Sequence, residues 1–132
     1  MSLAGVSLLL LEDDADTSEL FAQWLTKAGA NVRTASSGKQ ALEILESWRP
    51  TAVLCDLRMP GLDGYGFLEQ VRGRKHLDGL PLIALSASHP GIERDKSLRA
   101  GFSAHLAKPT RLHDVIEAVR KSTESIQRTT RT

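Results

Sequence analysis

The sequence predicts an α/β fold: a parallel sheet covered by helices on both faces, built from five strand-plus-helix units joined by short, right-handed connections. Three observations point there. Short apolar runs of strand length alternate with longer segments whose apolar residues recur at helical spacing. The main runs are near-continuously aliphatic, as strands covered on both faces are. Charged or hydroxylated residues then fall just past the ends of these runs, among turn-forming residues.

In chain order, residues 1–5 read as a ragged start or a cloning scar, residues 6–122 as the domain, and residues 123–132 as a polar tail or linker. Val6 to Leu11 is the first strand, ending in Glu12-Asp13-Asp14. Three acids at a strand tip repel one another and bring no stability. Asp16 and Glu19 have capping-box spacing for the first helix, which leaves Glu12 and Asp13 unexplained by capping. That helix runs from Thr17 to Ala28, with Leu20, Phe21, Trp24, Leu25 and Ala28 on a buried stripe and Gly29 just past its end. Asn31 to Ala35, with Val32 as its main apolar residue, is a short strand towards the sheet edge. Ser36 or Ser37 caps a second helix, in which Ala41, Leu42, Leu45 and Trp48 recur until Arg49-Pro50 breaks it.

The third strand starts near Val53 and carries Asp56 at its C-terminal tip; Pro60, Gly61, Asp63 and Gly64 supply the turn chemistry that follows. Tyr65 to Gly73 is a helix burying Phe67, Leu68 and Val71, and Arg74 to Gly79 is a polar loop. Leu80 to Leu85 is the fourth strand, ending at Ser86. Pro90 to Gly101 is the least hydrophobic helix, with Ile92 and Leu98 as its core residues, and is expected to pack loosely. Ala104 to Ala107 is the last strand, delivering Lys108-Pro109. The last helix, Arg111 to Ser122, places Leu112, Val115, Ile116 and Val119 on one face.

At 132 residues, 41% hydrophobic and 25% charged, the chain is one globular domain. A net charge of +1 gives no electrostatic case for nucleic acid or a membrane surface. No apolar run spans a bilayer and no signal peptide opens the chain, so a cytoplasmic setting is expected. The single cysteine, Cys55, rules out an internal disulfide, and strand alternation turns it away from the face Asp56 uses.

Parallel strands end on one side of the sheet, so Glu12, Asp13, Asp56, Ser86 and Lys108 are expected to converge on one crevice. Carboxylates with one ammonium make a hard oxygen site suited to Mg²⁺. One carboxylate is then free to attack phosphorus and form an aspartyl phosphate. The charge on the phosphoryl oxygens would be met by the metal, a lysine and a hydroxyl.

These residues sit in four stretches: Leu-Leu-Leu-Glu-Asp-Asp (9–14), Cys-Asp-Leu-Arg-Met-Pro-Gly-Leu-Asp-Gly (55–64), Leu-Ser-Ala (85–87) and Ala-Gly-Phe-Ser-Ala-His-Leu-Ala-Lys-Pro (100–109). In that order and spacing, the chain resembles a response-regulator receiver domain of two-component and phosphorelay signalling. The resemblance implies a three-layer flavodoxin-like (βα)5 fold with strand order 2-1-3-4-5. It makes Asp56 the phosphoacceptor, Asp13 a direct Mg²⁺ ligand, Glu12 a ligand mainly through water and the backbone carbonyl of Arg58 a further ligand, with Mn²⁺ able to substitute. Ser86 and Lys108 would hold the phosphoryl oxygens, and Lys108-Pro109 would be cis. Arg58 and Ser88 occupy positions that tune access of hydrolytic water. Ser86 and His105 would form the switch; the family usually has Tyr or Phe where His105 stands, and the residue reads equally as an exposed strand residue with no such role. The position after Lys-Pro, commonly Phe, is Thr110.

The partners implied are a histidine kinase or histidine phosphotransfer domain, with self-association through the fourth helix, fifth strand and fifth helix. No nucleic acid and no membrane contact are expected. The isolated chain would not be an enzyme beyond its own phosphorylation and dephosphorylation, while a parent protein could be a hybrid histidine kinase. Two alternatives stand beside this: a Mg-dependent phosphohydrolase of similar fold, and a non-phosphorylated pseudo-receiver that only binds. The first is disfavoured because the only Asp-x-Asp pair, Asp14 with Asp16, lies beyond the strand tip; the second, because Asp56, Lys108 and the acids are all retained.

Overall fold

The computed structural model describes residues 2–87 and 90–131, the side chains of residue 90 and residues 124–131 excepted. Ser88 and His89 therefore lie outside the described residues. Five strands, β1 (Ser7–Leu11), β2 (Asn31–Ala35), β3 (Ala52–Asp56), β4 (Leu82–Ser86) and β5 (Ala104–Ala107), form one parallel sheet in the order β2-β1-β3-β4-β5. The helices are α1 (Ala15–Lys27), α2 (Gly38–Leu45), α3 (Gly64–Arg72), α4 (Pro90–Ala100) and α5 (Leu112–Arg131), with a 3₁₀ turn at Lys75–Leu77. The α/β, flavodoxin-like expectation holds, and β2 lies at the sheet edge.

Strand alternation explains the two cores. Leu8, Leu10, Leu54, Ile83 and Leu85 face α1 and α5, meeting Phe21, Leu25, Val115, Ile116 and Val119. Leu9, Leu11, Val53, Cys55, Leu82 and Ala84 face the other way, meeting Ala41, Leu45, Phe67, Leu68 and Val71. The three central strands β1, β3 and β4 are thus apolar on both sides, and their polar groups are displaced to their ends.

Several local expectations are corrected. The α1 N-cap is Asp14, whose carboxylate accepts the backbone N–H of Thr17, so Asp16 does not cap and the proposed box with Glu19 is replaced by a cap two residues earlier. Leu3 is fully buried and its N–H donates to the Ala28 carbonyl at 2.7 Å, so the first residues pack on the end of α1 instead of standing outside the fold. Gly29, at φ +109°, permits this: a Cβ there would stand 3.0 Å from the Ala4 nitrogen.

Only Phe21 and Leu25 of the α1 stripe are buried, while Leu20 and Trp24 remain 50% and 39% exposed. The apolar arc is wider than the strip of sheet available to cover it. α2 stops at Leu45, short of Arg49, because Glu46 and Ser47 donate to carbonyls three residues back and tighten the chain into a turn. The expected 74–79 loop contains the 3₁₀ turn, which buries Leu77 completely, and β4 begins at Leu82 because Pro81 lacks the N–H of a ladder residue. In α4, Ile92 and Leu98 are exposed and Ser97 is buried instead. α5 continues to Arg131, beyond the Ser122 limit read from its apolar face.

Candidate functional site

The site is assembled at the C-terminal ends of β1, β3, β4 and β5, where each strand stops and the chain turns away. Glu12 follows β1 with its N–H tied to the Ala35 carbonyl of β2, so the side chain points back over the sheet end and is only 4% exposed. Its Oε1 accepts the N–H of Asp14, which links the acid pair to the α1 cap. Asp13, the next residue, is exposed. Asp56 ends β3 at 7% exposure, and its Oδ1 accepts the N–H of Arg58 at 3.1 Å. Ser86 ends β4, 2% exposed, and its carbonyl accepts the Lys108 N–H at 2.8 Å, fixing the chain just past β5.

The Lys108-Pro109 bond is cis, and the Lys108 side chain reaches across the sheet end. Its Nζ lies 2.7 Å from Glu12 Oε2 and 3.1 Å from Asp56 Oδ2. Two carboxylates, 96 and 52 positions before Lys108 in sequence, thus share its ammonium. Burial pushes the Glu12 carboxyl above its ordinary range, and the hydrogen bond from Lys108 offsets only part of this. Burial works against the Lys108 ammonium as well, yet the hydrogen bonds to Glu12 and Asp56 and the negative charges of both carboxylates together hold its pKa above the usual lysine value. The lysine is therefore charged throughout the neutral range.

Glu12, Asp13 and Asp56 each offer a carboxylate oxygen, and these atoms lie within 4.8 Å of one another. A set of hard oxygen donors that close, with one member exposed to solvent, fits a small divalent cation such as Mg²⁺. Of the residues singled out from sequence, the structure gathers Glu12, Asp13, Asp56, Ser86 and Lys108 at one sheet end. Arg58 is present through its backbone at the rim. His105 stands apart, in mid-β5 opposite Ala84; its Nε2 is buried and has no hydrogen-bond partner among the described residues, and burial lowers its pKa. Cys55 is fully buried in the opposite core and its thiol is pushed far above the usual range, first by burial, which makes it inert.

One feature escaped the sequence. Beside the site, a cleft of about 360 Å³ is walled by Leu20, Phe21, Trp24, Ala87, Lys108 and Pro109. The i, i+4 pair Leu20 and Trp24 was visible, but helical spacing does not distinguish a core stripe from an exposed one. A larger cavity of about 720 Å³, involving Arg72, Asp114 and Lys121, lies at the other end of the strands and gathers none of the convergent acids.

Comparison with known proteins adds a family. The model of the response regulator receiver domain matches residues 8–120. The chain is 36% identical over 119 residues to "Uncharacterized 14.6 kDa protein in sodA1 3'region" from Leptolyngbya boryana, covering 90% of this chain and 88% of that protein. It is 33% identical over 109 residues to "Regulator of RpoS" from Escherichia coli (strain K12), covering 83% of this chain but 32% of that protein. Among solved structures it resembles the receiver domain of sensor histidine kinase PA1611 from Pseudomonas aeruginosa PAO1, with a magnesium ion coordinated in the active site cleft. The TM-score is 0.82 at 30% identity, covering 92% of this chain and 99% of that one.

Proposed function

The chain belongs to the response-regulator receiver family, and on that premise we propose that it is a phosphoacceptor domain. Asp56 takes a phosphoryl group from the phosphohistidine of a histidine kinase or histidine phosphotransfer domain, in a Mg²⁺-dependent reaction, and the domain relays or switches the signal. The observation that carries this reading is the environment of Asp56. Its carboxylate ends a buried strand, is oriented by the Arg58 N–H and Lys108, and lies beside Glu12 and Asp13.

An Asp56 carboxylate oxygen attacks phosphorus; the new O–P bond forms as the P–N bond to the donor imidazole breaks, and the electron pair leaves with that nitrogen. Lys108 Nζ already stands at 3.1 Å from Asp56 Oδ2, so it needs little movement to meet a phosphoryl oxygen there. The Ser86 hydroxyl, at the neighbouring strand end, meets another. Asp13, Asp56 and the Arg58 carbonyl would hold Mg²⁺ directly and Glu12 through water, and Mn²⁺ suits the same oxygens. The ion supplies neutralisation of the negative charge that otherwise keeps a phosphoryl group away from a carboxylate cluster. The magnesium in the similar PA1611 receiver supports this assignment.

The apolar cleft of Leu20, Phe21, Trp24 and Pro109, adjoining Lys108, fits the helix of a phosphodonor that must bring its histidine to Asp56. A cytoplasmic setting, and self-association through α4, β5 and α5, belong to the same reading. The chain spans about a third of the Regulator of RpoS that it matches, and a hybrid histidine kinase as parent protein is a further part of the proposal.

The test is intact mass after incubation with acetyl phosphate and Mg²⁺: one phosphoryl group is expected on the chain and none on Asp56→Asn. Equal labelling of the variant removes Asp56 from the role. Trp24→Ala should slow transfer from a phosphohistidine donor and leave acetyl phosphate labelling intact; equal slowing of both would reject the docking surface.

A further inference from the structure

α4 is held in an unusual way. A surface helix ordinarily keeps its place by burying an apolar stripe. Among the described residues of α4 only Ser97 is buried, and its hydroxyl turns back to the Arg94 carbonyl of the same helix. Ile92 and Leu98 face solvent, at 71% and 38% exposure. α4 lies against β5 and β4, and among the described residues a side-chain hydrogen bond also ties it to α3. The Tyr65 hydroxyl donates to Glu93 at 2.8 Å, and the Lys96 ammonium lies 4.7 Å from the centre of the same ring. The ring is braced by Phe102, edge to face, at 5.9 Å between centroids.

Tyr65 is also tied to the acceptor. Gly64, immediately before it, donates its N–H to the Leu57 carbonyl. A Cβ on Gly64 would lie 3.0 Å from the Asp56 carbonyl oxygen and 2.8 Å from Leu57 Cα, so the start of α3 rests directly on the backbone of the acceptor strand. Displacement of that backbone reaches Tyr65 with no slack side chain in between. On the far side, the charge of Glu93 acts on His105 of β5.

We propose that the Tyr65–Glu93 hydrogen bond is a latch that seats α4 on α3, and that its release is how a change at Asp56 repositions α4. The second half rests on the phosphoacceptor reading; the first does not. Release would free a helix with little apolar anchorage of its own, and would do so by a route separate from Ser86 and His105.

The experiment is amide hydrogen exchange of α4 on the full chain with Mg²⁺, with and without beryllofluoride as a phosphoryl mimic. Without the mimic, Tyr65→Phe and Glu93→Ala should each speed α4 exchange about three- to tenfold, as loss of a part-exposed hydrogen bond to a charged group predicts. The double variant should be no faster than the single ones, because both remove the same bond. Unchanged exchange in Tyr65→Phe, or effects that add, would overturn the latch. With beryllofluoride, wild-type α4 should accelerate and Tyr65→Phe should gain nothing further; a full increment in the variant would overturn the release step. Acetyl phosphate labelling of Tyr65→Phe, read by mass, tests the acceptor separately: failure of both wild type and variant to label defeats the phosphoacceptor reading while the mimic-free comparison still decides the latch.

Discussion

Gly64→Ala sets two physical effects against each other. Helix propensity favours the substitution by up to about 1 kcal/mol, because alanine loses less backbone entropy than glycine. Packing opposes it. The added methyl would stand 2.8 Å from Leu57 Cα and 3.0 Å from the Asp56 carbonyl oxygen, both main-chain atoms that cannot swing aside. Carbon–carbon contacts prefer about 3.5–4.0 Å, so α3 would have to lift by more than half an ångström from the acceptor strand. Overpacking of this kind costs about 1–3 kcal/mol. The net expectation is a loss of roughly 1–2 kcal/mol, which at a urea m-value of about 2 kcal/mol/M lowers the midpoint by about 0.5–1 M. Urea unfolding followed by circular dichroism measures it. Gly91→Ala is the control: nothing lies within 4 Å of its Cβ position, so the same change should stabilise by about 0.5–1 kcal/mol. If Gly64→Ala matches the wild type or exceeds it, the close seating of α3 on Asp56 is wrong.

Other consequences follow from the titratable groups. Asp13→Ala removes the exposed oxygen of the three-carboxylate set and should weaken Mg²⁺ binding at least about tenfold by calorimetry, with stability changed by no more than about 0.5 kcal/mol; unchanged Mg²⁺ affinity would remove Asp13 from the metal site. Burial lowers the pKa of His105, with Glu93 opposing the shift and Arg94 adding to it. The unfolded chain therefore takes a proton at about pH 6.5 that the folded chain refuses, so stability falls as pH drops through that value until the folded pKa is reached. His105→Phe should lose less stability than wild type between pH 7.5 and 5.5 in paired urea titrations; identical losses would show that the imidazole is not held neutral.

The sequence by itself determined the fold class, the strand count and the place of the chemistry. Near-continuous apolar runs such as Val6 to Leu11 and Val53 to Cys55 call for cover on both faces, and parallel strands present their ends together; Asp56, Lys108 and the acids are therefore legible as one group. Local rules failed where two neighbouring residues competed for one role. Asp14 and Asp16 are both good caps, and the choice depended on where β1 released the chain. Leu20 and Trp24 share the spacing of Phe21 and Leu25, yet the sheet covers only the latter pair, so burial was a matter of available surface that periodicity does not encode. α4 is the plainest case. Composition points to Ile92 and Leu98 as its core residues, whereas the structure turns both to solvent and ties the helix through Glu93 to Tyr65, 28 residues earlier. A hydrogen bond between elements distant in sequence leaves no periodic trace in either of them. Likewise the pairing of Lys108 with Glu12 and Asp56 arises only when the Ser86 carbonyl anchors the end of β5 beside β4, which is a property of the assembled sheet.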